Sequence, residues 1–203
     1  MMVFYISLPL PMSFINTLEP ELDKLPVELR PPVAASLEQW HQQVAGLNLD
    51  FNPSPEITAS MAKVWCSSLF IAESCMRRPE ILVDLVATGD LSAAYNDHSY
   101  VDKLACMQID SEAGLMQALR QFRRREMIRI AWRDLAGWAQ LSETLAELSW
   151  LADACIQYAL SFLYNQACEK RGTPLLSDGR PQQIIVLGMG KLGAYELNYS
   201  SDI

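Results

Sequence analysis

Two places in this 203-residue chain combine residue types at spacings that could do chemistry. The first is Gly188-Met189-Gly190-Lys191-Leu192-Gly193, set directly behind the apolar run Ile184-Ile185-Val186-Leu187. Glycines let a backbone approach an anion closely, and their N–H groups, with those of a following helix N-terminus, point at it. Lys191 adds a point charge. The second place is a run of arginines: Arg120, Arg123, Arg124, Arg125, Arg129 and Arg133 are six of the chain's 16 basic residues. Arg125, Arg129 and Arg133 recur at i, i+4 and i+8 and so share one helix face. That face can meet phosphate, or an acidic surface of a target or a neighbouring domain. It can equally be taken up by ion pairs with the 24 acidic residues, each worth under about 1 kcal/mol where solvated.

The letters Gly188-x-Gly190-x-x-Gly193 suit two enzyme classes, and the residues behind them separate the two. A dinucleotide-binding fold continues into a full crossover helix and places an acid about 20 positions further on. Here Ala194-Tyr195-Glu196-Leu197 allows only a turn or two. Asn198-Tyr199-Ser200-Ser201-Asp202 then reads as a turn or cap, because short polar side chains compete with helical hydrogen bonds. The acid comes early, at Asp202, with apolar Ile203 behind it. A strand, a glycine turn, a short helix and an acid entering a second strand is the layout for nucleotidyl transfer. The turn holds phosphates, and paired carboxylates on the second strand hold divalent metal ions.

On these residues the chain resembles the glutamine synthetase adenylyltransferase/adenylyl-removing enzymes. The stretch from Leu187 to Gly193, joined to the stretch from Glu196 to Ile203, carries most of the likeness. The segment from Ser111 to Arg125, continuing through Ile128 to Trp132, resembles the family's helical region, and Arg78-Pro79-Glu80-Ile81-Leu82 is a fainter match. Such enzymes carry two nucleotidyltransferase-like domains and are several times longer than this chain. The resemblance implies that the first domain removes AMP from a tyrosine of glutamine synthetase, with inorganic phosphate attacking and ADP leaving. The second adds AMP from ATP, and a PII signalling protein and glutamine set the balance. It also implies Mg²⁺, with positioning and charge neutralisation supplying most of the catalysis. Gly188 and Gly190 match the phosphate-cradling turn, with Lys191 beside them. Ser200 and Ser201 match the polar residues before the acid, and Asp202 matches the first metal-binding acid. The family's Asp-Ile-Asp would put its second carboxylate at position 204, one past Ile203. The expectation is therefore that this chain alone neither adds nor removes AMP. Two other classes compete: a fragment of an NAD(P)-binding oxidoreductase, and a non-catalytic helical interaction module.

The elements that must position these residues are mostly helices. The predicted fold class is mainly α: a helical domain over 1–180, then at 181–203 the truncated start (strand, glycine turn, short helix) of an α/β nucleotidyltransferase domain. Pro31-Pro32 and Pro53-Ser54-Pro55 break the chain. Ser54 caps a helix that begins at Pro55 and runs through Trp65, Leu69 and Ala72 towards Arg77. A second helix covers Glu80 to Ala87 and stops at Gly89; Asp110-Ser111-Glu112 opens the arginine helix. Ser142-Glu143 opens another, in which Leu145, Leu148, Ala152, Cys155, Ala159 and Phe162 form one apolar stripe ending at Lys170-Arg171-Gly172. Ser177 to Pro181 reads as a turn-rich linker. Ile184 to Leu187 reads as a strand buried on both faces. Without neighbouring strands, 181–203 is expected to be poorly ordered or self-associating.

Composition narrows the partners. Half the chain is apolar and a fifth is charged, which is ordinary globular material. A formal charge of −8 argues against broad nucleic-acid binding, which rests on cations neutralising phosphates. The apolar stretch Met1 to Met12 lacks a basic n-region and is broken by Pro9 and Pro11, so it reads as neither an export signal nor a membrane span. Five cysteines without a CxxC pair point to reduced thiols in a cytoplasm. The large aromatic and Met side chains (Trp65, Phe122, Met127, Trp132, Trp138, Trp150) read as core, and His41 and His98 as surface residues.

Overall fold

The structure is a computed structural model, and it describes residues 14–200. The chain divides into two compact units, Met1–Ser92 and Ala93–Ile203.

The described part of the first unit is five helices: α1 (Phe14–Leu22), α2 (Arg30–Gly46), α3 (Pro55–Ser67), α4 (Leu69–Arg77) and α5 (Glu80–Ala87). Pro31 and Pro32 do not interrupt this unit but start α2, where a missing N–H costs nothing because the first turn has no partner for it. Ser54 caps α3 as expected, its Oγ accepting from the Ile57 N–H at 3.3 Å. The single helix expected from Ser54 to Arg77 is in fact two. Ser68 leaves helical conformation at φ −141° and caps α4 by accepting from the Ile71 N–H, so one residue ends a helix and starts the next. Gly89, in the left-handed region at φ +75°, follows α5. Helices α1, α2 and α3 pack on one another, and α4 bridges to α5. Their core holds Leu18, Leu37, Trp40, Met61, Ile71, Leu82, Leu85 and Leu91, all fully enclosed. Trp40 meets Phe51 edge-on at 4.8 Å, and the Trp65 indole N–H donates to Ser36 Oγ. His41 is half-buried and stacks on Phe14 at 4.2 Å, whereas His98 is exposed as expected.

The second unit is built on α6 (Ser99–Ala105), α7 (Glu112–Ala136) and α8 (Leu141–Arg171), with α8 packed against both others. Ser111 caps α7 by accepting from the Gly114 N–H. Gly137 ends it in the left-handed conformation at φ +82°, and the turn back to α8 is short. Helix α8 opens at Leu141, one residue before the expected start, with no side-chain cap bond from Gln140. Its buried face is Thr144, Glu147, Leu148, Ser149, Leu151, Ala152 and Ala154, rotated from the expected stripe. The last third of α8 is only half-covered. Trp65, Phe122 and Trp132 are core as expected, while Trp138 and Trp150 are half-buried.

After α8 the chain turns at Gly172 and makes a small hairpin. Leu175 and Pro181 form an isolated antiparallel bridge, and Gly179 turns at φ +83° between them. Ile184 to Leu187 forms no strand: the described residues hold no segment that pairs with it. Instead of being buried on both faces, Ile185 and Leu187 are 79% and 80% exposed. A strand is stabilised by a neighbour that takes its N–H and C=O groups, and β-branched side chains alone do not supply one.

Candidate functional site

The glycine turn closes on itself. Helix α9 (Gly190–Gly193) is a single turn, sealed by Ala194 N–H to the Gly190 carbonyl at 3.1 Å and Glu196 N–H to the Lys191 carbonyl at 2.8 Å. Two of the three glycines have a steric reason. Gly190 sits at φ +59°, in the left-handed region that other L-residues avoid. A Cβ on Gly193 would come within 2.5 Å of the Gly188 carbonyl oxygen, so the two backbones could not approach as they do. A Cβ on Gly188 would only touch Leu192, at 3.4 Å. Tyr195 is left-handed at φ +57° and ends the helix, so the long crossover helix of a dinucleotide fold does not follow the glycines. The turn and Lys191 are exposed.

What holds the turn in place lies just behind it. Leu197 is buried in the second unit's core beside Tyr100, Leu104, Phe122, Leu148 and Leu151, and Leu192 packs against the same cluster. The Leu197 N–H donates to Ser149 Oγ on α8 at 3.2 Å, and that hydroxyl donates in turn to the Leu145 carbonyl at 2.9 Å. Asn198 is half-buried and Ser200 exposed; Ser200 Oγ donates to Asn198 Oδ1. Partial desolvation of the Tyr199 hydroxyl raises its pKa above the usual range, with Asp134 adding to the effect and Arg129 opposing it, although the side chain as a whole remains exposed. Ser201 and Asp202 lie outside the described residues, as does the Met1–Met12 stretch.

The arginine face points inward. Arg129 is fully enclosed: Nε donates to Glu126 at 2.9 Å, Nη1 to the Ala93 carbonyl at 2.9 Å and Nη2 to Tyr100 Oη at 2.8 Å, with Glu147 ion-paired to the same guanidinium. Its plane lies 3.6 Å over the Tyr95 ring. Tyr100 Oη donates to Glu147 at 2.7 Å, Arg125 pairs with Glu126, and Arg133 donates to Glu143 at 2.6 Å. Three arginines thus meet three glutamates in a mostly buried network. An external anion at Arg129 would have to displace carboxylates of the chain itself, so neither a solvated face nor an open phosphate site describes it. Sequence reading missed Tyr100, Glu126, Glu147, Ser149 and Leu197. A carboxylate such as Glu147 beside Leu148 and Leu151 is the signal that was present, since a buried charge requires a partner.

Arg120 and Arg123 stay exposed and rim a groove of about 250 Å³ between α7 and α8, floored by Leu119, Met127, Leu151 and Ile156, with Leu197 and Asn198 on its wall. Cys155 also lines it. Burial pushes its thiol up to about 11, although nearby Arg123 opposes this. Among the described residues no group of three or more His, Cys, Asp or Glu could hold a metal ion, and the candidate ligand Asp202 lies outside them. No described helix is long and apolar enough to cross a membrane.

Residues 58–203 match the family model described as Glutamate-ammonia ligase adenylyltransferase, which begins slightly upstream of the motifs read from sequence and includes all of α7 to α9. Three curated relatives share the name bifunctional glutamine synthetase adenylyltransferase/adenylyl-removing enzyme. The one from Nitrosococcus oceani is 45% identical over 185 residues, 90% of this chain and 19% of the relative. That from Thioalkalivibrio sulfidiphilus is 40% identical over 188 residues, 91% of this chain and 19% of the relative. That from Pseudomonas aeruginosa is 38% identical over 208 residues, 98% of this chain and 20% of the relative. The chain spans about a fifth of the length of these relatives. With the glycine turn, its short helix and the arginine helix all inside the matched region, the chain belongs to the glutamate-ammonia ligase adenylyltransferase family.

Proposed function

We propose that this chain is the part of a bifunctional glutamine synthetase adenylyltransferase/adenylyl-removing enzyme that leads into its AMP-removing domain, with a helical domain over 1–180 and the transferase start at 181–203. The observation that carries the reading is the turn itself. A single helical turn at Gly190–Gly193 ends at left-handed Tyr195, too short for the crossover helix of a nicotinamide fold, and in the sequence Asp202 follows Gly193 by only nine positions, which suits nucleotidyl transfer. In the proposed reaction an oxygen of inorganic phosphate attacks the phosphorus of a tyrosyl-AMP. The bond from phosphorus to the tyrosyl oxygen breaks, the phenolate takes up a proton, and ADP leaves. The N–H groups at Gly188 and Gly190, with Lys191, would hold phosphate oxygens, and Ser200 and Ser201 would orient the segment entering Asp202. Arg129, being spent on Glu126 and Glu147, enters the proposal as a brace between α7 and α8, with Arg125 at its edge.

Mg²⁺ held in part by Asp202, ATP as substrate of the adenylylating half, glutamine synthetase as target, a PII protein and glutamine as regulators, and a cytoplasmic setting all come from the family resemblance and stand in the proposal on that footing. The test is ADP formation from adenylylated glutamine synthetase and inorganic phosphate. A chain continued downstream of Ile203 to the length of the relatives is expected to release ADP, and the 203-residue chain is not. Release by the shorter chain, or none by the longer, overturns the reading.

A further inference from the structure

Little packs against the glycine turn from its outer side: Gly188 to Glu196 is mostly exposed, and Ile184 to Leu187 is unpaired among the described residues. Yet Leu197, the one buried residue among those described after the turn, is held twice. Its side chain fills the core formed by α6, α7 and α8, and its N–H ends on a serine of α8. The hydroxyl of Ser149 is itself enclosed and oriented, because it donates to the Leu145 carbonyl one turn back and so turns its lone pairs towards Leu197. Serine inside a helix is a poor helix former, and here its second hydrogen bond gives it a task outside the helix. The same helix carries the ion network, with Glu147 two residues before Ser149 locked to Arg129 and Tyr100. Leu192 adds a third contact from the helical turn to the same cluster.

We propose that Ser149 and the core pocket around Leu197 form a two-point seat by which α6, α7 and α8 set the position of the phosphate turn, so that Ser149 and Leu197 are positioning residues of the AMP-removing site. The inference rests on the transferase reading for its chemistry, but the seat is a structural claim that stands apart from it. Each acts through the backbone that follows Gly188 and not on the phosphate itself. A loss of the seat should therefore lower turnover while leaving the concentration of phosphate needed for half-maximal rate nearly unchanged.

The experiment has two arms. In the 203-residue chain, amide hydrogen exchange is followed at Leu197 and along α7 and α8 in the unaltered protein, in Ser149→Ala and in Ser149→Thr. A lost hydrogen bond of ordinary strength corresponds to about fivefold faster exchange. Ser149→Ala is expected to speed exchange at Leu197 by that factor or more, with α7 and α8 unchanged within about twofold and with protection restored by Ser149→Thr. Unchanged exchange at Leu197 in Ser149→Ala overturns the seat. In the chain continued downstream of Ile203, Ser149→Ala is expected to lower kcat for ADP release about tenfold, with KM for phosphate within about twofold and with recovery by Ser149→Thr. Full kcat despite an unprotected Leu197 amide overturns the positioning role. If the continued, unaltered chain releases no ADP, the proposed function fails, and the exchange arm still decides the seat.

Discussion

Gly188, Gly190 and Gly193 look alike in sequence, but the structure ranks them. Gly193 faces the Gly188 carbonyl so closely that a methyl group would force the two backbones apart; Gly190 needs a left-handed φ, and Gly188 needs neither. Gly193→Ala should therefore open the turn, Gly190→Ala should cost about 1 kcal/mol of local stability, and Gly188→Ala should be nearly neutral. Amide exchange at Ala194 and Glu196, whose N–H groups seal the turn, measures that order. A Gly188→Ala variant more disruptive than Gly193→Ala would show that the turn adopts another geometry. Here the residue types were legible in the sequence and the steric reasons were not, because the closest approach is between backbone atoms five residues apart.

Among the elements, α7 and α8 carry the heaviest electrostatic commitment. Taking Arg129 and Glu147 fully out of water costs several kcal/mol per ion, which only close pairing and complete hydrogen bonding offset. Cutting one partner leaves the other charged and alone. Glu147→Ala is expected to lower the unfolding free energy by about 3–5 kcal/mol, read as a shift in the denaturation midpoint at constant slope. The double change Arg129→Met with Glu147→Leu should recover only part of the loss, since Glu126 stays buried beside Arg125 alone and the Tyr100 hydroxyl loses both Arg129 and Glu147. A single variant as stable as the unaltered protein would mean that water reaches the pair. The i, i+4, i+8 spacing announced a shared arginine face, but which way that face turned depended on glutamates 1 to 18 residues away and on a tyrosine in a different helix.

Across the whole molecule, the apolar run Ile184 to Leu187 is the conspicuous liability: exposed, β-branched and without a ladder among the described residues. Such a segment is a template for pairing with another chain. Ile185→Lys is expected to reduce concentration-dependent association in sedimentation velocity while leaving the helical circular dichroism signal unchanged. Equal association by both proteins would place the contact elsewhere.

The helical character of 14–171, the caps at Ser54 and Ser111, the stops at Gly89, Gly137 and Gly172 and the phosphate-type turn follow from short-range rules. Each depends on the conformational preference of one residue or on partners within four positions. The inward turn of Arg129, the missing strand at 184–187 and the anchoring of Leu197 on Ser149 depend on residues distant in the chain. Burial and pairing are properties of what a segment meets once folded, and periodicity announces a face without naming what will cover it. For that reason the turn could be read from the letters, and its seat only from the packed helices behind it.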